Sequence, residues 1–328
     1  SCSKRLLESF DIDFVKIVED EEELQIFLNT IPKLVVNEHD AVVESNIKIF
    51  CSDTTSRTKK INHRFLSIFG VEMEVIDPDD TKMIPDLLQH YSKSKLNNRE
   101  LKLAHFKDSY HDRNSFFIAN TFYFSANFKF PFDSKFTKLK KFHINSNQSI
   151  EVETMSIKQS LRTCIHPELD VSLIEIPFEN SNLSALIFHP IKKDSSLASI
   201  IKKINALIIE DCMALLEFSQ VALHFPKLKF HSHLSISDQL NDSKLFDLPK
   251  DDGKNYHLTE FTQAVYFGLN ESGISSKFSS RAPPISVEDM QVGPISVHKI
   301  NRPFLLIIYD AHYRCPLFAS AIYHPVQR

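Results

Sequence analysis

The order of hydrophobic and polar positions divides the chain near residue 115, with mixed helix and strand signals before it and mostly strand patterns after it. Leu24, Ile26, Phe27, Leu28 and Ile31 follow the acidic run Glu19–Glu23. Carboxylates suit the positive end of a helix dipole, so a helix is predicted over about 20–31, ended by Pro32. Val42–Cys51 reads as a strand, Lys59–Phe69 as an amphipathic helix closed by Gly70, and Val71–Ile76 as a short alternating strand. A helix over about 79–92 carries Pro85, which removes a backbone donor from its interior.

Beyond Ser115 the run Phe116–Phe124 is apolar at nearly every position except Asn120, the pattern of a central strand covered on both faces. A buried Asn needs its hydrogen bonds met, so Asn120 is expected to tie neighbouring strands together. Strands are predicted at about 139–145, 149–158, 160–166, 171–177 and 183–189, separated by polar turns such as Glu179-Asn180-Ser181-Asn182, a spacing that indicates antiparallel sheets. Ile200, Ile201, Ile204, Leu207, Ile208, Met213, Leu215 and Leu216 recur at helical spacing over about 194–218. Val221–Phe225 and Leu228–Phe230 follow as strands split by Pro226, then a short helix near 235–241. Phe261–Leu269, Phe304–Tyr309 and Leu317–Tyr323 complete the strands. With no alternating βαβ units, the class is α+β with antiparallel or mixed sheets.

One stretch has neither period. Glu271–Pro303 opens on Asn270-Glu271-Ser272-Gly273 and runs through a Ser- and Pro-rich segment before the apolar C-terminal strands. A structureless segment of this length between two buried strands is a displayed loop, and such loops carry function.

Composition narrows the classes. The 328 residues are 42 % hydrophobic and 24 % charged with a net charge of −4, which describes a globular chain without the basic excess that duplex binding needs. No window approaches the ~18 apolar residues of a membrane span. Cys2, Cys51, Cys164, Cys212 and Cys315 lie far apart, an odd set that makes neither a metal motif nor a complete disulfide framework. Sequons stand at Asn147, Asn182, Asn241 and Asn270. The chain starts at Ser1 with no methionine or apolar leader, so a processed or truncated product is expected. We expect an extracellular protein, with the cytoplasm as the alternative compartment.

Several pieces, in order, resemble the serpin family of protease inhibitors. Phe117–Asp133 looks like the family's central strand and the crossing after it. His166-Pro167-Glu168-Leu169-Asp170, Leu173–Phe178 and Asn182–Pro190 match the next strands. Phe225-Pro226-Lys227-Leu228-Lys229-Phe230 is similar to the family's Leu-Pro-Lys-Phe-Lys strand, and Asn301-Arg302-Pro303-Phe304-Leu305 to its C-terminal Asn-Arg-Pro-Phe-Leu. The match is strong over 115–328, weak over 41–114 and nearly absent over 1–40, so a shortened N-terminus is expected.

The resemblance implies one domain over residues 1–328, with three β-sheets, about eight helices and an exposed reactive-centre loop at 274–296. It makes Glu271, Ser272, Gly273, Ile274, Ser276 and Phe278 the hinge and Asn120 part of the structural shutter. In the family, cleavage lets the loop insert as a new strand of the largest sheet and drag the acylated protease away. The scissile bond falls near Val287-Glu288 when counted from Gly273 and near Val292-Gly293 when counted back from Pro303. The implied partner is a serine or cysteine protease. We expect a monomer that is not an enzyme, with no catalytic residues, cofactor or metal and no nucleic-acid or membrane partner.

The loop itself argues against an efficient trap. Alternation from Ile274 sends Ile274, Ser276, Phe278 and Ser280 inward, and Phe278 is bulky where the family prefers alanine. Overpacking costs ~1–3 kcal/mol. Pro283 and Pro284 lack the donors that a central strand needs. Insertion is then slow or incomplete and the loop behaves as a substrate or binding element; the alternative is a working suicide inhibitor. The Trp that the family carries after the central strand appears here as Phe128, and a family His is replaced by Gln263 or displaced by a one-residue shift. No Gly-x-Ser-x-Gly elbow, phosphate-binding glycine loop or His-Glu-x-x-His supports an enzyme.

Overall fold

A computed structural model describes residues 41–51, 73–75, 115–192, 195–235, 247–249, 255–274 and 294–326. The helices expected over 20–31, 59–69, 79–92 and 235–241 therefore lie outside the described residues, apart from Ser235, which ends a strand.

The strands are β1 (Ala41–Cys51), β2 (Met73–Val75), β3 (Ser115–Asn127), β4 (Lys138–His143), β5 (Ser149–His166), β6 (Val171–Pro177), β7 (Leu183–Pro190), β8 (Glu217–Pro226), β9 (Leu228–Ser235), β10 (Asp247–Pro249), β11 (Asn255–Asn270), β12 (Gly273–Ile274), β13 (Ser296–Lys299), β14 (Phe304–Asp310) and β15 (Cys315–Ile322). Two helices, α1 (Leu197–Ile201) and α2 (Ala206–Leu215), stand where one helix over 194–218 is predicted. The break has a local cause. Asn205 caps α2, its side-chain Oδ1 accepting from the Ile208 amide at 3.0 Å, and this ends any continuous helix. The residues expected to finish that helix, Glu217 and Phe218, instead begin β8.

Contacts divide the chain into two compact units. The first comprises Ser1–Val36, Val43–Tyr123 and His231–Tyr266. In it β1 and β2 run parallel from Ile49↔Met73 to Cys51↔Val75, with Lys48 paired to Glu74 at 3.0 Å. β3 and β11 run parallel from Ser115↔His257 to Phe122↔Val265, with a register shift between Leu258 and Glu260.

The second unit comprises Asn37–Val42, Phe124–Phe230 and Phe267–Arg328. It holds a sheet ordered β13-β8-β5-β6-β7-β14-β15, with β4 also on β5. β7 and β14 are buried at every position, the consequence of runs such as Leu183–Pro190 and Phe304–Asp310 that offer no polar face to water. Leu173, Leu186, Phe188 and Ile307 join Ile200 of α1 and Ile209 and Cys212 of α2 in the main core cluster.

Among the described residues the hydrogen-bonded ladders form two sheets, of seven and eight strands, where three are expected. The reason is β5. Sequence patterning divides it at Gln159, but it runs unbroken for 18 residues, pairing with β4 and β8 along one part and with β6 along another. One strand thereby merges two expected sheets. Of the expected eight helices, the described residues contain α1, α2 and the 3-10 turn Ser134–Phe136.

Candidate functional site

The site is built around the turn that closes β11. Asn270 accepts the Ser272 amide on its side-chain Oδ1 at 3.0 Å, which bends the chain back so that β12 runs antiparallel to β11. β12 then pairs on both sides: Ile274 stands opposite Leu269 of β11 and opposite Ala126 of β3, and Gly273 opposite Asn127. From Phe122 and Val265 backwards, β3 and β11 pair directly with each other. Ile274, the first residue of the expected loop, is thus in a strand already. Ile274, expected at the start of an exposed loop, is 1 % exposed, and at the other end Ser296 begins β13. Both ends of the expected 274–296 loop, Ile274 and Ser296, therefore lie in paired strands.

Gly273 has no substitute in this position. Its φ of +146° is a conformation that side chains rarely adopt, and a Cβ there would lie 2.2 Å from the Ala126 carbonyl oxygen and 2.9 Å from Asn127 Cα. The neighbouring atoms are backbone, so no rotamer change relieves the clash.

Glu271 and Ser272 are held by backbone and side chains together. The Phe128 amide donates to the Ser272 carbonyl and the Phe132 amide to the Glu271 carbonyl, each at 2.8 Å. Phe128 is fixed in turn by stacking on Phe178, with ring centroids 5.6 Å apart and planes 10° from parallel, and by an edge contact with Phe132 at 5.7 Å. A phenylalanine thus forms the apolar seat beneath the turn where the family carries tryptophan. The Glu271 carboxylate accepts from Thr137 Oγ1 at 2.8 Å and lies 2.9 Å from Lys227 Nζ, which also reaches Glu153 at 3.3 Å. Burial pushes the Glu271 carboxyl up, but the hydrogen bonds from Lys227 and Thr137 outweigh it and hold it below the ordinary value. Burial likewise lowers Lys227, and its hydrogen bonds and charge attraction to Glu271 and Glu153 together more than offset this, leaving it raised.

Sequence reasoning missed Thr137, Glu153 and Lys227. Lys227 offers a faint signal, as a lone lysine after Pro226 between two apolar strands. Its link to a residue 44 positions away is set by tertiary structure alone.

Asn120 pairs in register with Gln263. That places the expected shutter residue opposite one of the two readings of the family His position. Ser276, Phe278, Val287, Glu288, Val292 and Gly293 lie outside the described residues.

The distal end of the loop is anchored by β13, which runs parallel to β8 from Ser296↔Val221 to Lys299↔His224. The His143 amide donates to the Asn301 carbonyl at 2.8 Å, and the Arg302 guanidinium donates to the Pro190 and Ile191 carbonyls. The Asn-Arg-Pro-Phe-Leu motif therefore binds the exit of the loop to β4 and to the end of β7. Among the described residues, no group of three or more His, Cys, Asp or Glu side chains gathers as a metal set, and no helix is long and apolar enough to cross a membrane.

A sequence profile described as Serpin (serine protease inhibitor) matches residues 3–325. Human antithrombin-III is 23 % identical over 164 residues, 47 % of this chain and 35 % of that protein. Serpin B5 of Xenopus laevis is 24 % identical over 186 residues, 52 % of this chain and 47 % of that protein. The chain thus aligns with less than half the length of these curated relatives. Among solved structures, human thyroxine-binding globulin complexed with thyroxine superposes with a TM-score of 0.83 at 16 % identity, covering 100 % of this chain and 87 % of that one. The serpin from Schistosoma mansoni gives 0.77 at 19 % identity, covering 93 % and 83 %. At these identities the structural likeness speaks to the fold alone.

Proposed function

The chain belongs to the serpin family, and from that membership we propose that it presents its loop to a serine or cysteine protease and is cleaved as a substrate in preference to trapping the enzyme. The support comes from continuing the register of β12. Ile274 stands opposite Ala126 and Leu269, so each further inserted residue moves one position back along β3 and β11. Phe278 then falls on the row Phe122–Val265, Ser280 on Asn120–Gln263, and Pro283 on Phe117–Glu260, while Pro284 reaches the register shift beside Phe116.

The carrying observation is that β3 and β11 pair directly at Phe122↔Val265 and Phe117↔Glu260, the two rows that an insertion continuing this register would assign to Phe278 and Pro283. Opening the first row to seat a Phe costs ~1–3 kcal/mol in overpacking. The second row loses a ladder donor at Pro283; Pro284, beside the irregularity, loses less, because bulges tolerate proline. Insertion that stalls after Ala282 leaves the acylated protease near where it started, free to finish hydrolysis.

The test is a panel of serine and cysteine proteases assayed for SDS-stable complexes, with melting temperatures compared for intact and loop-cleaved protein. We expect cleavage within residues 275–293, no stable complex and little rise in Tm. The triple variant Phe278→Ala, Pro283→Ser, Pro284→Ser is expected to gain complex formation. A stable complex with the unaltered protein, or a sharp rise in Tm on cleavage, refutes the proposal.

One set of positions favours the alternative, a working suicide inhibitor. Gly273 and Ile274 are seated already, and the same register puts the small residues Ser276, Ser280 and Ala282 on the rows that face the Ile274 side. A complex formed by the unaltered protein would establish that reading.

A further inference from the structure

Behind the distal anchor lies a cavity of about 310 Å³, lined by Lys140, Lys141, Thr154, His224, Lys299 and Asn301 over an apolar floor of Phe142 and Val152. Its charge is one-sided. Lys140 and Lys141 come from β4 and Lys299 from the end of β13, and among the described residues none of the three makes an ion pair. Of the nearby carboxylates, Glu151 stands opposite Lys141 without an ion pair between them, and Glu153 stands opposite Leu139 with its carboxylate turned to Lys227.

The hydrogen bonds inside the cavity describe its charge state. Lys140 Nζ lies 2.9 Å from His224 Nδ1, and Ser156 Oγ lies 2.8 Å from the same nitrogen. An ammonium can only donate, so Nδ1 accepts, the ring is neutral and its proton sits on Nε2. Burial first, then Lys140 and Lys299, hold His224 below its ordinary value, and burial with Lys299 and Lys138 lowers Lys140. Cations crowd one another over a floor from which water is excluded, Phe142 being 0 % and Val152 4 % exposed. A small multivalent anion relieves that repulsion and matches the donors, the lysine ammonium groups.

We infer that this cavity is an oxyanion site that takes one sulfate or phosphate group, and that its occupancy clamps β13, the strand ending the loop, to β4. The clamp follows from connectivity. Lys140 and Lys299 approach the anion from different strands, and β13 has β8 as its ladder partner, supplemented by the Ile300 amide on the His224 carbonyl at 2.9 Å and the His143 amide on the Asn301 carbonyl at 2.8 Å. An ion bridging the lysines adds a cross-link to a strand otherwise exposed at Ser296 and Val297. The site stands whether the loop traps or is merely cut.

The experiment titrates the full chain with sodium sulfate, sodium phosphate and a sulfated oligosaccharide, using sodium chloride at matched ionic strength as reference. Binding is followed by calorimetry, and exchange of the Val297–Ile300 amides by mass spectrometry. We expect saturable binding and slowed β13 exchange, both weakened at least tenfold in Lys140→Gln, Lys299→Gln and unchanged in Lys202→Gln, which lies beyond α1 and outside the cavity. Sulfate stabilises proteins generally, so equal effects in wild type and the double variant overturn the proposal. An oligosaccharide that binds far more tightly than inorganic sulfate, with the same loss in the double variant, assigns the group to a polyanion; equal affinity assigns it to a free ion. A readout independent of the variants is the His224 ring in NMR. With Lys140 of β4, Ser156 of β5 and Lys299 of β13 around it, its pKa rises when sulfate enters. Resonances that stay fixed at saturating sulfate refute the site.

Discussion

Replacing Gly273 by alanine tests whether the seated β12 is a structural commitment or an incidental contact. At φ +146° an added Cβ meets the Ala126 carbonyl oxygen at 2.2 Å. The backbone conformation alone costs about 1–3 kcal/mol for a residue with a side chain, and a contact that short with backbone forces movement. The chain can escape by leaving the seat. Leaving exposes Ile274, now 1 % exposed, at about 1.5–3 kcal/mol, and gives up ladder hydrogen bonds worth about 0.5–1.5 kcal/mol each. By either route the loss is about 3–5 kcal/mol. With a urea slope near 3 kcal/mol/M, the midpoint should fall by about 1 M or more. Hydrogen exchange should separate the routes, since unseating deprotects the Ile274 amide and a strained but seated strand does not. Ile274→Ala is the companion variant, removing burial without backbone strain, and should lose about 2–4 kcal/mol. A Gly273→Ala protein that unfolds at the wild-type midpoint with Ile274 still protected refutes the reasoning.

Other consequences follow from the same neighbourhood and from the buried titratable groups. Glu271→Gln removes the charge that Lys227 and Thr137 hold, and should cost about 1 kcal/mol at neutral pH, discounted for the partial exposure of Lys227. Because the folded-state pKa of Glu271 is depressed, its contribution is present above the unfolded carboxylate value and lost as pH falls through the folded one. Urea midpoints between pH 5 and 3 should therefore decline less steeply in Glu271→Gln than in wild type. Burial first, then Arg302 and His298, push His189 down to about 3 from 6.5. Below pH 6.5 the unfolded chain takes up a proton that the folded one refuses, so stability should drop by about 2 kcal/mol between pH 6.5 and 5, and His189→Phe should flatten that slope. Cys212 is fully buried and its thiol is pushed up to about 12 by burial, with Cys164 and Asp211 adding to the shift. It should resist maleimide at pH 8 in the native protein and react only after unfolding; labelling in the native state would contradict this.

The strands most legible in the sequence are those whose patterning leaves a single solution. β6, β7 and β14 lie within a residue of their expected limits, because runs such as Leu183–Pro190 have no face that tolerates water. β5 and the α1–α2 pair were less legible, for opposite reasons. Gln159 looks like an interruption, yet a partly buried polar residue can remain inside a long strand whose ladder runs past it. The isoleucines of 200–216 keep helical spacing across a break that Asn205 imposes through one hydrogen bond. Helical periodicity reports which face is apolar and is blind to a cap inside the run.

The turn at Gly273 shows the same division. Five glycines in 328 residues make each one informative, and the pattern Asn270-Glu271-Ser272-Gly273 after a buried strand marks a turn. Local chemistry determined that much: an Asx turn, a glycine and an apolar residue beyond it. That Ile274 is already the third strand between β3 and β11, and that Glu271 is tied to Lys227 and Thr137, follow from pairings over long sequence separations. So does the direct pairing of β3 with β11 at Phe122↔Val265 and Phe117↔Glu260, a register that no local pattern encodes. The sequence by itself determined where the chain turns back after β11. Tertiary structure alone decided how far it is already seated, because register and ion-pair partners are set by which strands meet in space.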